Sequence, residues 1–296
     1  MDEHGLFISL IRDSAGPLPY PEPQLPDIPP QWEELAACAP ERPYKAVLFD
    51  VYGTLFSSAA GDIALAAQSS GDTADGPDKV AAFYDPGLCG EELRNFFIAK
   101  VKEIHSQMRQ RTEWPEVQAD RIWEEFLQAH SLPGSGQELA LRYELAVNPV
   151  FPMPHAKQTI SALRESGCVL GIISNAQFYT PLLFETFFDG RPEEIGFDSD
   201  LIFYSFEHGE AKPSPRLFDA AASRLKKRGI SPEDCAFVGN DMLSDIYGAV
   251  KAGFQGILFA GDSRSLRLRE TDGRVKDLSP HRVIRSLSEL AVAGNT

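Results

Sequence analysis

Short apolar runs alternate with helix-forming segments through most of the second half of this chain. The predicted strands are Lys45–Phe49, Cys168–Ile173, Leu201–Phe206, Cys235–Val238 and Gly256–Phe259. The predicted helices are His155–Glu165, Pro181–Phe187, Pro215–Lys227 and Ser244–Ala252. Unbroken apolar runs suit strands that are covered on both faces. Because strands and helices also alternate, we predict an α/β fold with a parallel sheet, helices on both faces and right-handed crossovers.

The first apolar run delivers a single carboxylate to its end. Asp50 follows Phe49 directly, and the chain then turns through Gly53 and Thr54. A lone carboxylate beside an apolar strand is costly to bury unless another group compensates it. Ligands of open α/β sheets bind outside the carboxyl ends of the strands. Asp50 is therefore a candidate nucleophile or metal ligand at that edge of the sheet.

Three further polar clusters follow predicted strands. They contain Ser174, Asn175, Lys212, Asn240, Asp241 and Asp245. Because the carboxyl ends of parallel strands lie on one edge of a sheet, we expect these side chains to converge with Asp50. Four converging clusters are much stronger evidence for an active site than one aspartate at the end of a strand.

The order of these clusters resembles the haloacid dehalogenase superfamily of hydrolases, in the subfamily with a helical cap inserted after the first motif. The four motifs are residues 50–55 (DVYGTL), 173–175 (ISN), 212–218 (KPSPRLF) and 238–249 (VGNDMLSDIYGA). The resemblance covers roughly residues 44–260 and includes all four motifs in order. It implies a Rossmann-like core with a mostly α-helical cap domain.

The resemblance implies a catalytic role for several of these residues. Asp50 would be the nucleophile that forms a covalent intermediate with the substrate. Ser174 would donate a hydrogen bond to the transferred group, helped by backbone amides near Tyr52 and Asn175. Thr54 would orient the loop around Asp50. Lys212 would keep Asp50 ionised and offset charge on the transferred group.

The resemblance also implies Mg²⁺ as the cofactor. Asp241 and Asp245 would hold the ion together with Asp50 and the backbone carbonyl of Tyr52. Ligand sets made only of oxygen suit this hard ion. Some related motifs have Asp where Asn240 stands, so Asn240 and Asp241 are alternatives for the same ligand position.

Tyr52 departs from the phosphatases of this superfamily, which carry a second Asp two residues after the nucleophile as general acid and base. A tyrosine with a pKa of about 10 is a poor base near neutral pH. Tyrosine here is typical of the metal-free 2-haloacid dehalogenases, but those enzymes carry an Arg soon after the first motif and residues 57–90 contain none. A weakly active or non-catalytic binding protein is a third hypothesis. We favour a Mg²⁺-dependent hydrolase of a small phosphorylated substrate.

The chain divides into an arm, a core and a cap. The predicted domains are a proline-rich arm at 1–43, an α/β core at 44–56 and 149–296, and a helical cap at 57–148. Fixed φ angles and missing donors exclude a helix or inner strand from the proline-rich stretch 12–43. Apolar spacing predicts cap helices over residues 91–111, 116–130 and 137–147.

The charged tail over residues 261–296 contains one predicted helix, His281–Leu290. We expect the arginines of this tail to neutralise nearby acids rather than to bind a ligand. They are Arg264, Arg267 and Arg269.

The formal net charge of −15 argues against nucleic acid or an anionic membrane surface as a partner. No uncharged apolar stretch reaches the roughly 18 residues that a membrane span needs. The four cysteines form no C-x-x-C pair, so we expect reduced, buried thiols rather than a zinc site. We expect a cytosolic protein that binds a small anionic substrate. The sequence gives no indication of the oligomeric state.

Overall fold

Six parallel strands form the central sheet of the computed structural model, which describes residues 2–37, 43–58 and 75–291. In chain order the strands are β1 (Ala46–Phe49), β2 (Phe56–Ser57), β3 (Phe151–Pro152), β4 (Val169–Ser174), β5 (Phe197–Tyr204), β6 (Cys235–Gly239), β7 (Gln255–Phe259) and β8 (Arg282–Ile284). The spatial order is β5-β4-β1-β6-β7-β8, while β2 and β3 form a separate antiparallel pair. The strand order reverses at β1, and ligands of such sheets bind at this point.

Helices surround the sheet and form most of the cap. In chain order they are α1 (Glu3–Ser14), α2 (Glu33–Ala37), α3 (Asp75–Tyr84), α4 (Gly90–Met108), α5 (Ala119–Ala129), α6 (Gly136–Val147), α7 (Ala156–Glu165), α8 (Thr180–Phe188), α9 (Pro192–Ile195), α10 (Ser205–His208), α11 (Pro215–Lys227) and α12 (Gly248–Lys251). The predicted α/β core, with helices around a parallel sheet, is confirmed. In the described part of the chain, no helix is both long and apolar enough to cross a membrane.

Strand β1 shows why the sheet needs cover on both faces. All four of its residues are fully buried. Val47 and Phe49 pack into one apolar cluster, whereas Ala46 and Leu48 pack into a second cluster. Because successive side chains of a strand point to opposite faces, this apolar run fills both layers of the core. The run therefore fixes where Asp50 emerges.

The cap has an apolar core of its own. Phe97 of α4 stacks on Trp123 of α5 with ring centroids 5.1 Å apart, and Tyr143 of α6 lies 4.8 Å from the same indole. The three cap helices predicted from apolar spacing correspond to α4, α5 and α6. The domain limits stay a prediction, and residues 59–74 of the predicted cap lie outside the described residues.

The N-terminal arm contains helices that the proline argument excluded. Helix α1 reaches into the stretch predicted to lack helix, and α2 lies in the gap without proline between Pro30 and Pro40. The prediction was wrong because a proline disfavours a helix only at its own position in the helix interior. At the first position of a helical turn, where Pro30 lies, proline is favourable. Trp32 is buried in the same apolar cluster as Met242, behind the fourth motif.

Helix α1 contacts both the cap and the core. The carboxylate of Glu3 accepts a hydrogen bond from Ser135, at the start of α6, with a length of 3.0 Å. His4 lies 2.7 Å from Glu185 of α8 in the core. Phe7 is buried on the same helix. The arm therefore packs as part of the folded molecule.

The C-terminal tail contains a strand where a helix was expected. Residues Arg282–Ile284 form β8 and pair with β7, and only a short 3₁₀ turn follows at Leu287–Leu290. Val283 and Ile284 are fully buried. Two adjacent β-branched residues suit a strand that is covered on both faces, so pairing with β7 overrode the helical pattern.

Candidate active site

Asp50 lies at the carboxyl end of β1, where all four motifs meet. Its backbone N–H donates to the carbonyl of Val238 over 2.9 Å. Its Oδ1 accepts hydrogen bonds from Ser174 Oγ at 3.0 Å and from Lys212 Nζ at 2.6 Å. Both hydrogen bonds are accepted by Oδ1 rather than by Oδ2. The expected convergence at this edge of the sheet is therefore observed.

Lys212 bridges two buried carboxylates. Its Nζ donates to Asp245 Oδ1 at 2.6 Å as well as to Asp50. Burial lowers the pKa of Lys212, but the charges of Asp245 and Asp50 outweigh burial and raise the pKa overall. Burial raises the pKa of Asp245 to about 7, although the Lys212 charge opposes this change. Such perturbed groups in one cluster mark a candidate functional site.

Asn175 fixes the backbone of Lys212. Its Oδ1 accepts the Lys212 N–H at 2.6 Å, and its Nδ2 donates to the Lys212 carbonyl over 3.5 Å. The side chain of the second motif therefore holds the third motif in place. This contact explains why the lysine reaches Asp50 from a separate loop.

Thr54 and Asn240 link the first and fourth motifs. Thr54 Oγ1 donates to Asn240 Oδ1 at 3.2 Å, and Asn240 Nδ2 donates to the carbonyl of Ser265 at 2.6 Å. Gly53 has a φ of +85°, and a Cβ at this position would lie 2.7 Å from Asn240 Nδ2. Glycine is needed here because both the backbone angle and the close approach exclude a side chain. Sequence reasoning missed Ser265, which stands in the charged tail without a motif.

Asp241 caps a short helical segment, Met242–Tyr247, and pairs with an arginine. Its Oδ1 accepts the backbone N–H groups of Leu243 and Ser244 at 2.8 and 3.0 Å. Its Oδ2 accepts from Arg269 Nη2 at 2.6 Å and Nε at 2.9 Å. The expectation that tail arginines neutralise acids is confirmed for Arg269, and also for Arg264, which pairs with Asp262.

The acids of the site do not form a ready-made metal cage. Across residues 2–37, 43–58 and 75–291, no group of three or more His, Cys, Asp or Glu side chains is arranged to hold a metal ion. Lys212 contacts both Asp50 and Asp245, and Arg269 contacts Asp241. Internal cations therefore neutralise the three carboxylates that the resemblance assigns to a metal.

Tyr52 points its hydroxyl at the start of α8 rather than at Asp50. Its oxygen lies 2.9 Å from Thr180 Oγ1, and the ring is buried. Burial, followed by the nearby charge of Glu144, raises the pKa of Tyr52 well above its ordinary value. A phenol in this environment stays protonated at neutral pH. Its hydroxyl is therefore no substitute for a carboxylate base, and sequence reasoning missed its partner Thr180.

The cap contacts the loops of the second and third motifs directly. Gln177, two residues after Asn175, donates to the carbonyl of Val117 and accepts the N–H of Ala119, both at 2.9 Å. The N–H of Ala211 donates to the carbonyl of Trp114 at 2.9 Å. The loop between α4 and α5 therefore lies beside Lys212.

The chain belongs to the haloacid dehalogenase-like hydrolase family, whose profile matches residues 44–253. It is therefore a hydrolase by family. The phosphoglycolate phosphatase of Salmonella choleraesuis is 30% identical over 218 residues, which cover 71% of this chain and 78% of that enzyme. The ribulose-1,5-bisphosphate 5-phosphatase of Halopiger xanaduensis is 27% identical over 163 residues, or 53% of this chain. That match spans 64% of the relative's own length.

Solved structures of two kinds of enzyme share the fold. A haloacid dehalogenase-type phosphatase from Thermococcus onnurineus has a TM-score of 0.52 and 22% identity, over 85% of this chain and 99% of that one. A 2-haloacid dehalogenase from Pseudomonas syringae also has a TM-score of 0.52, with 19% identity over 84% of this chain and 97% of that one. Because both enzymes share the fold, it does not choose between the two reactions.

Proposed function

We propose that this protein is a Mg²⁺-dependent phosphatase that hydrolyses a small phosphorylated compound through a covalent intermediate on Asp50. The observation that carries the proposal is the position of Asp50, whose Oδ1 bonds Ser174 at 3.0 Å and Lys212 at 2.6 Å. An ionised carboxylate beside a hydroxyl donor and a cation is suited to attack phosphorus. The phosphatases named among the relatives support the same reaction.

The proposed reaction has two steps. In the first, an oxygen of Asp50 attacks the phosphorus, and the bond to the ester oxygen breaks as the leaving alkoxide takes up a proton from solvent. In the second, water attacks the phosphoryl group, which releases phosphate and restores the Asp50 carboxylate. Lys212 and the Ser174 hydroxyl stabilise negative charge on the transferred oxygens during both steps.

The oxygen groups around Asp50 fit a magnesium ion in their chemistry. The proposed ligands are Asp50, the Tyr52 carbonyl, Asp241 and Asp245, and Asn240 is the alternative to Asp241. When bound, the ion supplies positive charge that neutralises the phosphate oxygens. Both alternatives already have partners: the Asn240 amide bonds Thr54 and Ser265, and Arg269 donates to the Asp241 carboxylate.

The proposed mechanism leaves proton transfer to a group other than Tyr52. The Tyr52 hydroxyl faces Thr180, and burial holds its pKa well above the ordinary value. General acid–base help is typically worth about 10²–10⁴-fold. We therefore expect hydrolysis of the aspartyl phosphate to be slower than its formation, unless the substrate or a cap residue supplies the proton transfer.

The test is turnover of a panel of phosphate esters with Mg²⁺ by wild type and by Asp50→Asn. We expect the variant to lose about 10⁴–10⁶-fold in kcat, as nucleophile replacements do. The matched control is Asp219→Asn, an exposed change on α11 that should keep wild-type turnover. Turnover that survives Asp50→Asn would reject the mechanism.

The second candidate is a metal-free 2-haloacid dehalogenase, which Tyr52 favours. In that reaction Asp50 would attack carbon and displace halide. Residues 57–90 lack the Arg that such enzymes use, and the fourth motif keeps two acids suited to a metal. Halide release from 2-haloacids in EDTA would support it, and no release would exclude it.

The third candidate is a binding protein without useful turnover. Tyr52→Asp discriminates, because it restores the carboxylate that phosphatases carry. A large gain in phosphatase rate would identify a weakened site, whereas a loss would show that Tyr52 serves another chemistry.

A further inference from the structure

A basic cleft lies where the loop after α4 meets the C-terminal segment. It has a volume of about 630 Å³ and is lined by residues 109–114 together with Arg274. We propose that this cleft, through Arg109, Arg111 and Arg274, binds a second anionic group on the part of the substrate that leaves. The inference rests on the proposed phosphatase function and adds to it a substrate class: phosphate esters that also carry another phosphate or a carboxylate.

Arg274 is held in place on the wall of the cleft. Its guanidinium carbon lies 4.7 Å from the centre of the Trp114 ring. Its Nη2 lies 2.6 Å from Asp272, and its Nη1 lies 3.6 Å from Glu113. Stacking on an aromatic ring and pairing with carboxylates reduce the freedom of a long side chain. The guanidinium is thus positioned before a ligand arrives.

Arg109 and Arg111 carry charges that the described protein does not neutralise. Both are exposed, and within the described residues neither has a carboxylate partner at ion-pair distance. Acidic residues outnumber basic ones in this chain, which has a net charge of −15. Arginines without a carboxylate partner are therefore unexpected in it. Arginine presents a planar set of donors that matches phosphate and carboxylate oxygens. The two side chains therefore have donors available for an anion.

Hydrogen bonds through the third motif connect the wall of the cleft to the nucleophile. The Trp114 carbonyl accepts the Ala211 N–H at 2.9 Å, and Lys212 is the next residue. Lys212 Nζ then reaches Asp50 at 2.6 Å. The peptide step to Lys212 and its extended side chain put the Asp50 carboxylate at most about 17 Å from the Trp114 carbonyl on the cleft wall. A compound with two anionic groups about five carbon atoms apart fits within this limit.

The experiment compares two matched probes, 1,5-pentanediol bisphosphate and pentyl phosphate. Wild type should have the higher kcat/KM for the bisphosphate. Arg109→Ala, Arg111→Ala and Arg274→Ala should each reduce the ratio of the two kcat/KM values about tenfold, which corresponds to about 1.4 kcal/mol. The control is Arg121→Ala, an exposed change on α5 of the same cap that should keep the wild-type ratio.

Binding separates this inference from the phosphatase proposal. Calorimetry on the Asp50→Asn protein measures the affinity of both probes without turnover. Tighter binding of the bisphosphate than of pentyl phosphate by Asp50→Asn supports the proposed binding cleft, provided that the double variant Asp50→Asn/Arg111→Ala loses this difference. This result would hold even when wild type hydrolyses neither probe. Equal affinities for the two probes, or a ratio that the three arginine variants leave unchanged, would overturn it.

Discussion

The two halves of the active site differ in which parts of the chain hold them. Around the nucleophile, the side-chain hydrogen bonds of Asp50 and Lys212 come from the motifs themselves, through Ser174 and Asp245. At the other half, Asp241 is held by Arg269, and Asn240 is held by Ser265. Both of those partners lie beyond the residues that match the family, 44–253.

This difference separates what the motifs specify from what the rest of the chain decides. Position and charge of the nucleophile follow from the four motifs. The state of the fourth motif depends on a tail segment that crosses beside it, where the Met242 N–H donates to the Arg267 carbonyl over 2.9 Å. Substitutions in each half separate the two contributions.

Removing the cation at the nucleophile should have the largest effect. Lys212→Met leaves Asp50 and Asp245 buried without their shared partner, which typically costs about 3–5 kcal/mol. We expect this loss in the free energy of unfolding measured with urea, together with loss of phosphatase turnover. Lys227→Met, an exposed change on α11, is the control and should shift stability little. A Lys212→Met protein as stable as that control would contradict the described network.

The same half should show a particular pH dependence in EDTA. The pKa of Asp245 rises from 3.8 to about 7 on folding, chiefly through burial. The folded state then binds the proton more tightly, so this group contributes stability at low pH that is lost as pH rises through about 7. The free energy of unfolding should therefore fall by at most about 1.4 kcal/mol per pH unit from this group.

Urea titrations between pH 4 and pH 8 measure this slope. Asp245→Asn should remove the contribution, and the exposed Asp219→Asn should keep the wild-type slope. Parallel pH profiles for wild type and Asp245→Asn would show that Asp245 keeps an ordinary pKa.

Arg269 tests the other half. Its guanidinium occupies Asp241 Oδ2, an oxygen that the proposed metal would need. We expect Arg269→Ala to tighten Mg²⁺ binding by about tenfold, or about 1.4 kcal/mol, in calorimetry without substrate. Arg164→Ala is the control, an exposed change on α7. Weaker Mg²⁺ binding in Arg269→Ala would mean that the arginine positions Asp241 for the ion instead.

The smallest effect is expected at Tyr52, which lies between the halves. Tyr52→Phe removes the hydrogen bond of 2.9 Å to Thr180 and should cost about 1 kcal/mol of stability. Thr180→Val should cost a similar amount, and the double variant should cost less than the sum. We expect kcat/KM of Tyr52→Phe to keep its pH dependence. If kcat/KM of Tyr52→Phe no longer fell at high or at low pH as in wild type, the hydroxyl would have a role in proton transfer.

Sequence reasoning succeeded where one local signal determines the structure. Unbroken apolar runs located the core strands, because only a sheet covered on both faces buries such runs. Strand ends then placed Asp50, Ser174 and Asp241 on a single edge. Apolar spacing likewise identified α5, with Trp123 inside the cap.

Sequence reasoning failed where segments distant in the chain determine the local structure. The strand Arg282–Ile284 forms because β7 offers a free edge, and nothing within the tail indicates that edge. The partners of the fourth motif are similar cases, because Ser265 and Arg269 carry no motif of their own. For Tyr52 the sequence signalled an unusual reaction, but only the fold shows the hydroxyl turned toward Thr180.

The covalent intermediate is the central claim, and peptide mass spectrometry after rapid acid quenching tests it most directly. During turnover of a phosphate ester with Mg²⁺, we predict one phosphoryl group on the peptide that contains Asp50, and none in the Asp50→Asn protein. Steady phosphate release without any phosphoryl group on Asp50, in a protein quenched within a single turnover, would contradict the account.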